Sequence, residues 1–165
     1  MDLSAFLGHL KGLSWYRDQL VHRAQVPPRT ASSGSLDAPL NEKLRRSLES
    51  NSVEALYSHQ AEAINALARG ENVIVATPAA SGKSLCYHLP VLQAILEDRA
   101  SRALYIYPTK ALAQDQSKTL SELLPDGRRI RHGIFNGDTL SQDRADVRRH
   151  SQILMTNPDM LHVGI

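Results

Sequence analysis

Cysteine is almost absent: Cys86 is the single one in 165 residues, which excludes an internal disulfide. Nothing beside it has the Cys/His spacing of a metal site, so it reads as a small apolar filler on a helix. Long hydrophobic runs are missing as well. No stretch approaches the roughly 20 apolar residues of a membrane span. The amino-terminal region carries Asp2 and no apolar segment ahead of a small-residue cleavage site, so no leader is expected and the chain reads as cytoplasmic. Charge of one sign is also scarce in excess: 19 Lys and Arg stand against 17 Asp and Glu, a net +2. That balance permits a nucleic-acid partner without arguing for one. Arg128, Arg129, Arg131, Arg144, Arg148 and Arg149 do gather late in the chain, but Asp126, Asp138, Asp143 and Asp146 are interleaved, as on a solvated surface.

What is present is a globular composition, 42% hydrophobic and 22% charged, in a chain the size of one ordinary domain or part of one. Within it, Ala76-Thr77-Pro78-Ala79-Ala80-Ser81-Gly82-Lys83-Ser84 follows the β-branched run Val73-Ile74-Val75 and opens a helical pattern. A Gly-Lys-Ser alone is an ordinary helix start. Placed at a strand-to-helix turn it has the context of a phosphate-binding loop, in which backbone N–H groups and the helix N-terminus surround the β-phosphate. Lys83 is then the residue for the β- and γ-phosphates, and the Ser84 hydroxyl the ligand for Mg2+. The loop departs from the strict pattern: Thr77 stands where a glycine is usual, and Ala80 carries a Cβ. That Cβ is expected to keep the loop out of left-handed geometry at residue 80.

Along the chain, Leu3, Phe6, Leu7 and Leu10 and then Leu13, Leu20 and Val21 suggest one or two short amphipathic helices, interrupted by Gly8 and Gly12. Residues 27–35, rich in Pro and Ser, read as a flexible linker, and the expected division is a helical segment with linker over 1–40 followed by the main domain over 41–165. A helix with Leu40, Leu44 and Leu48 on one face comes next, then a helix capped by Ser58 and ended by Gly70. From there strands at 73–76, 103–107, 130–135 and 152–156 alternate with helices from Lys83, about Thr109, about 140 and about Pro158. This alternation predicts an α/β fold, a parallel sheet with crossover helices and the phosphate loop at its carboxyl edge. Leu85, Leu89, Leu92 and Leu96 form a core stripe on the first crossover helix, which Pro90 is expected to kink or divide.

The ordered segments resemble the first RecA-like domain of superfamily 2 DExD/H-box helicases. Leu56-Tyr57-Ser58-His59-Gln60 is similar to the Q motif, which implies that Gln60, beside Tyr57, reads the adenine edge of ATP. An amide can donate to one adenine nitrogen and accept from the exocyclic amine, so the residue type suits ATP over GTP. With it, Ala79, Ala80, Ser81, Gly82, Lys83 and Ser84 form the implied nucleotide site. Tyr107-Pro108-Thr109-Lys110, Asn136-Gly137-Asp138-Thr139 and Thr156-Asn157-Pro158-Asp159 resemble the blocks that contact one nucleic-acid strand along its sugar-phosphate backbone. The resemblance implies roles there for Thr109, Lys110, Gly137, Asp138, Thr139, Thr156 and Asn157, with the threonine hydroxyls and the Lys110 charge making sequence-independent contacts. Each segment is equally a good helix cap, and the two readings are compatible because unpaired first-turn N–H groups serve both.

The combination of Ser81-Gly82-Lys83-Ser84-Leu85-Cys86-Tyr87 with Gly137-Asp138-Thr139 and Thr156-Asn157-Pro158 looks closest to the MrfA-type DNA-repair helicases, which favours single-stranded DNA over RNA as partner. Ala79 departs from the threonine of commoner helicase loops and removes a hydroxyl. No Asp-Glu pair occurs in the sequence. Hydrolysis needs a carboxylate for magnesium, a group that orients water and an arginine finger. The expectation is therefore an ATP- and nucleic-acid-binding part of a helicase that does not turn over by itself and lacks its C-terminal domains. The alternative is a noncatalytic nucleotide- or nucleic-acid-binding module.

Overall fold

Three short segments, Ala103–Ile106 (β1), His132–Ile134 (β2) and Ile153–Thr156 (β3), form a parallel sheet in the order β1-β3-β2 in the computed structural model. Residues 2–27, 30–124 and 130–164 are described. Asp126, Arg128 and Arg129 of the arginine-rich stretch, and Pro28 and Arg29 of the linker, lie outside them. Ala103 faces Ile153 and Ile106 faces Thr156 on one side of β3, while His132 faces Ile153 and Ile134 faces Met155 on the other. Central in the sheet, β3 buries Ile153 and Met155 completely, as a parallel strand covered on both faces must.

The crossovers are the helices expected of such a sheet: Ser84–Glu97 (α4), Lys110–Leu123 (α5), Ser141–His150 (α6) and Pro158–Gly164 (α7). Ahead of them come Leu3–Lys11 (α1), Glu42–Ser50 (α2) and Ser58–Ala68 (α3). Leu44 of α2, Leu89 and Leu92 of α4 and Leu120 of α5 meet β3 in one core. Pro90 removes one N–H from α4 without dividing it, because the leucines on either side are held in that core.

The chain forms two units, Met1–Ala31 and Ser32–Ile165. Among the described residues of the first, α1 is the one helix, and it buries none of its residues. In the second, part of the expected linker is fastened rather than flexible. Ser33 bridges Tyr57 antiparallel, Gly34 N donates to Leu56 O at 3.0 Å, and Ser58 N donates to Ser32 O at 2.7 Å. A Cβ on Gly34 would lie 2.8 Å from Ala61 Cβ and 2.9 Å from Ser58 Cα, so the sequence needs glycine for this close approach.

Two further expectations are corrected, and the helix stop at Gly70 is borne out. Ser58 is the first helical residue and Tyr57 the N-cap. Gly70 does close α3, at φ +80°, with Gly70 N donating to Leu67 O and Glu71 N to Ala66 O in a Schellman arrangement. Residues 73–76 belong to no sheet, and Ile74 is 96% exposed. A β-branched run favours extended backbone, but a strand exists only through ladder bonds to a partner, and no described strand pairs with it.

Candidate nucleotide and nucleic-acid site

Gln60 is the N3 residue of α3 and is 2% exposed. Its Oε1 accepts from Tyr57 N at 2.8 Å, satisfying a donor at the helix start, and its Nε2 donates to Gly82 O at 2.8 Å. The amide expected to meet adenine thus also ties α3 to the phosphate loop. One amide hydrogen and one Oε1 lone pair lie beyond these two bonds. Tyr57 is 43% exposed, and its ring stacks on His59 with centroids 5.9 Å apart.

The loop between residue 76 and α4 is closed by its own side chains. Thr77 Oγ1 and Ser81 Oγ share a hydrogen bond of 2.6 Å, and Lys83 Nζ donates to Thr77 O at 2.9 Å and Pro78 O at 2.6 Å. Ala80 corrects the sequence reading: it adopts φ +58°, the left-handed region its Cβ was expected to exclude. The closing bonds fix the chain on both sides of it, and they outweigh a local cost of about 1–2 kcal/mol. Gly82 sits at φ +75°, where a Cβ would lie 2.6 Å from Gln60 Nε2. Ala79 is exposed and Ser84 is the first residue of α4. Lys83 and Ser84 line a cavity of about 480 Å³ with Tyr87, Tyr107 and Gln116.

Because the strands are parallel, the segments that follow them emerge at one sheet edge. Thr109 caps α5, its Oγ1 accepting from Leu112 N at 3.2 Å. Lys110 Nζ meets Asp138 Oδ1 at 2.6 Å beside the exposed Gly137, so the structure brings the first and second blocks together and partly neutralises the lysine. Thr139 Oγ1 accepts from Asn136 N and donates to Ile134 O, both at 3.0 Å. Thr156 is 1% exposed, and its hydroxyl donates to Phe135 O at 2.8 Å. The structure therefore commits the Thr156 hydroxyl, expected as a surface donor, to holding β3 against the end of β2. Asn157 Oδ1 accepts from Met160 N at 3.0 Å as the cap of α7.

A part-buried polar and aromatic cluster joins the two regions and was given no role from the sequence. Tyr87 Oη donates to Gln116 Oε1 at 2.8 Å and lies 3.5 Å from Tyr107 Oη, while His88 Nδ1 meets Tyr105 Oη at 3.2 Å. Burial pushes the Tyr105 and Tyr107 hydroxyls above the usual phenol range, with Tyr87 adding to the shift of Tyr107. Burial lowers His88 to about 4, against a smaller upward pull from Gln116, and also lowers His132. The signal available in the sequence was spacing: Tyr87 stands four residues after Lys83, on the same helix face.

Residues 57–165 match the DEAD/DEAH box helicase family. The chain belongs to this family. It is 40% identical over 165 residues to the uncharacterized ATP-dependent helicase YprA of Bacillus subtilis (strain 168), a match spanning 99% of this chain and 22% of that protein. It is 43% identical over 170 residues to the ATP-dependent helicase hrq1 of Schizosaccharomyces pombe, covering 99% of this chain and 16% of that one. Among solved structures, the DUF1998 helicase MrfA bound to DNA and AMPPNP superposes with a TM-score of 0.85 at 39% identity, over 100% of this chain and 23% of that chain. The DEAD-box helicase Mss116, at 16% identity and a TM-score of 0.64, shares the fold. The sheet and its crossovers are thus part of a RecA-like helicase domain, and the chain spans about a fifth of the length of these relatives. Both YprA and hrq1 are ATP-dependent helicases by name. No helix among the described residues is long and apolar enough to cross a membrane.

Proposed function

We propose that this chain is the ATP-binding part, and part of the single-strand-binding surface, of an ATP-dependent DNA helicase. The observation that supports this reading is the bond from Gln60 Nε2 to Gly82 O, which ties the Gln60 amide to a loop whose lysine is held by two of its carbonyls. Gln60 offers its second amide hydrogen and Oε1 lone pair to the base, and the exposed face of Tyr57 covers the ring. Lys83 exchanges Thr77 O and Pro78 O for the phosphates, a charge-assisted contact stronger than the two it leaves. Gly82, Ala79, Ala80 and Ser81 offer backbone N–H groups along the loop, and in this reading the Ser84 hydroxyl is the ligand for Mg2+, which would screen the phosphate charge.

Thr109, Lys110, Gly137, Asp138, Thr139 and Asn157 form the surface for a single strand, with Thr156 shaping it from beneath. Contacts of this kind read the backbone rather than the bases. DNA is favoured over RNA because MrfA is seen bound to DNA and the mycobacterial helicase Lhr to ssDNA. Hydrolysis and strand movement need carboxylates for the metal and an arginine finger, and in this reading they belong to the whole helicase. Competition against a fluorescent ATP derivative tests the reading. Unlabelled ATP and ADP displace it at concentrations where GTP does not, and equal displacement by GTP would contradict the role given to Gln60.

A further inference from the structure

Tyr87 stands where the nucleotide loop and the strand-binding edge touch. It lies one helical turn after Lys83 and Ser84 on α4, and its hydroxyl reaches two residues that bracket the turn carrying Thr109 and Lys110. On one side Tyr107 closes the end of β1, its Oη 3.5 Å from Tyr87 Oη. On the other, Gln116 sits within α5, the helix that Thr109 caps, and its Oε1 accepts from Tyr87 Oη at 2.8 Å. The connection extends further, because Tyr107 N donates to Thr156 O at 2.8 Å and Thr156 Oγ1 holds Phe135 O. One phenol is therefore bonded to the frame from which all three candidate strand-binding segments project.

The contact is built to transmit rather than absorb a shift. The Tyr87 ring packs edge-on against Tyr105 at 5.2 Å, and Tyr87, Tyr107 and Gln116 line the same cavity as Lys83 and Ser84. Breaking a part-buried hydrogen bond leaves both partners unsatisfied, so a displacement of α4 carries the partners with it. At the start of α4, Lys83 is bound to Thr77 O and Pro78 O, and on the reading above it leaves them to meet a phosphate. A helix moves as a unit over one turn, so this exchange is felt at Tyr87.

We propose that the Tyr87 hydroxyl, through Gln116 and Tyr107, is the positioning group that couples nucleotide occupancy of the loop to the affinity of the Thr109–Lys110 turn for a nucleic-acid strand. This rests on the ATP- and strand-binding reading given above. Tyr87→Phe keeps the ring and its packing and removes only the bond, and Gln116→Met removes the acceptor at similar volume.

The test is a coupling measurement on the 165-residue chain. Anisotropy of a labelled single-stranded DNA gives its Kd with and without saturating magnesium AMPPNP, and calorimetry gives the Kd of the nucleotide alone. In the unsubstituted chain the nucleotide is expected to change the DNA Kd by at least about fivefold. In Tyr87→Phe that ratio falls to within about twofold of unity, while the Kd of each ligand alone stays within about twofold of the original, a pattern that loss of structure does not produce. Gln116→Met gives the same pattern, and it carries the test if Tyr87→Phe fails to fold. A full coupling ratio in either folded variant overturns the proposal, as does an original chain that binds both ligands independently. A chain that binds neither ligand contradicts the underlying functional reading instead, and the proposal falls with it.

Discussion

Ala80 holds φ +58°, a conformation its side chain resists because Cβ closes on the following carbonyl oxygen, whereas Gly82 holds φ +75° without that penalty. The two positions therefore respond oppositely to substitution. Ala80→Gly relieves the strain and raises stability by about 1 kcal/mol in urea unfolding, less what glycine loses in chain entropy. Gly82→Ala introduces strain and drives Cβ into Gln60 Nε2, so it weakens the tie between α3 and the loop and lowers nucleotide affinity. Unchanged stability in Ala80→Gly together with unchanged binding in Gly82→Ala would remove the loop conformation described here. Which residues form the loop was legible from spacing alone. Its left-handed turn at Ala80 was not, because that geometry is imposed by contacts of Thr77, Pro78, Ser81 and Lys83 that no local preference encodes.

At the scale of elements, α4 joins the sheet through a histidine that is fully buried, bonded to Tyr105 by Nδ1, with no hydrogen-bond partner for its Nε2 among the described residues. Its folded pKa is lowered by burial to about 4 from an ordinary 6.5. Between those values the unfolded chain binds a proton that the folded chain refuses, so stability is full above pH 6.5 and is lost as pH falls toward 4. The loss amounts to at most about 3 kcal/mol, to which His132 adds in the same direction. Thermal midpoints between pH 7 and 5 check this. The original chain falls steeply, while His88→Gln falls less; identical slopes would exclude His88 as the source. The apolar runs of β1, β2 and β3 were readable as strands because each finds a partner within the chain. The equally apolar run at residues 73–76 was not readable as unpaired, since sequence pattern reports a preference for extended backbone and is silent about which edge will receive it. The bonds joining Tyr87 to Tyr107 and Gln116 were not legible for a related reason: they span 20 and 29 residues.

For the whole molecule, the free edge matters most. Among the described residues β1 is an edge strand with Leu104 and Ile106 47% and 48% exposed, and Ile74, outside the sheet, is 96% exposed; exposed apolar side chains and free strand edges recruit other chains. The 165-residue chain is expected to associate with rising concentration and to unfold over a broad range. A cooperative transition from a species of monomeric mass, measured by calorimetry and light scattering, would refute that expectation. The central claim is that the segment from Thr77 to Ser84 receives the phosphates of ATP through Lys83, and titration calorimetry of magnesium ATP into the chain and into Lys83→Ala addresses it directly. Weak but measurable heat of binding in the original chain, reduced at least about tenfold in affinity by the loss of one charge-assisted contact, is the predicted result. Equal affinity in the two chains would contradict it.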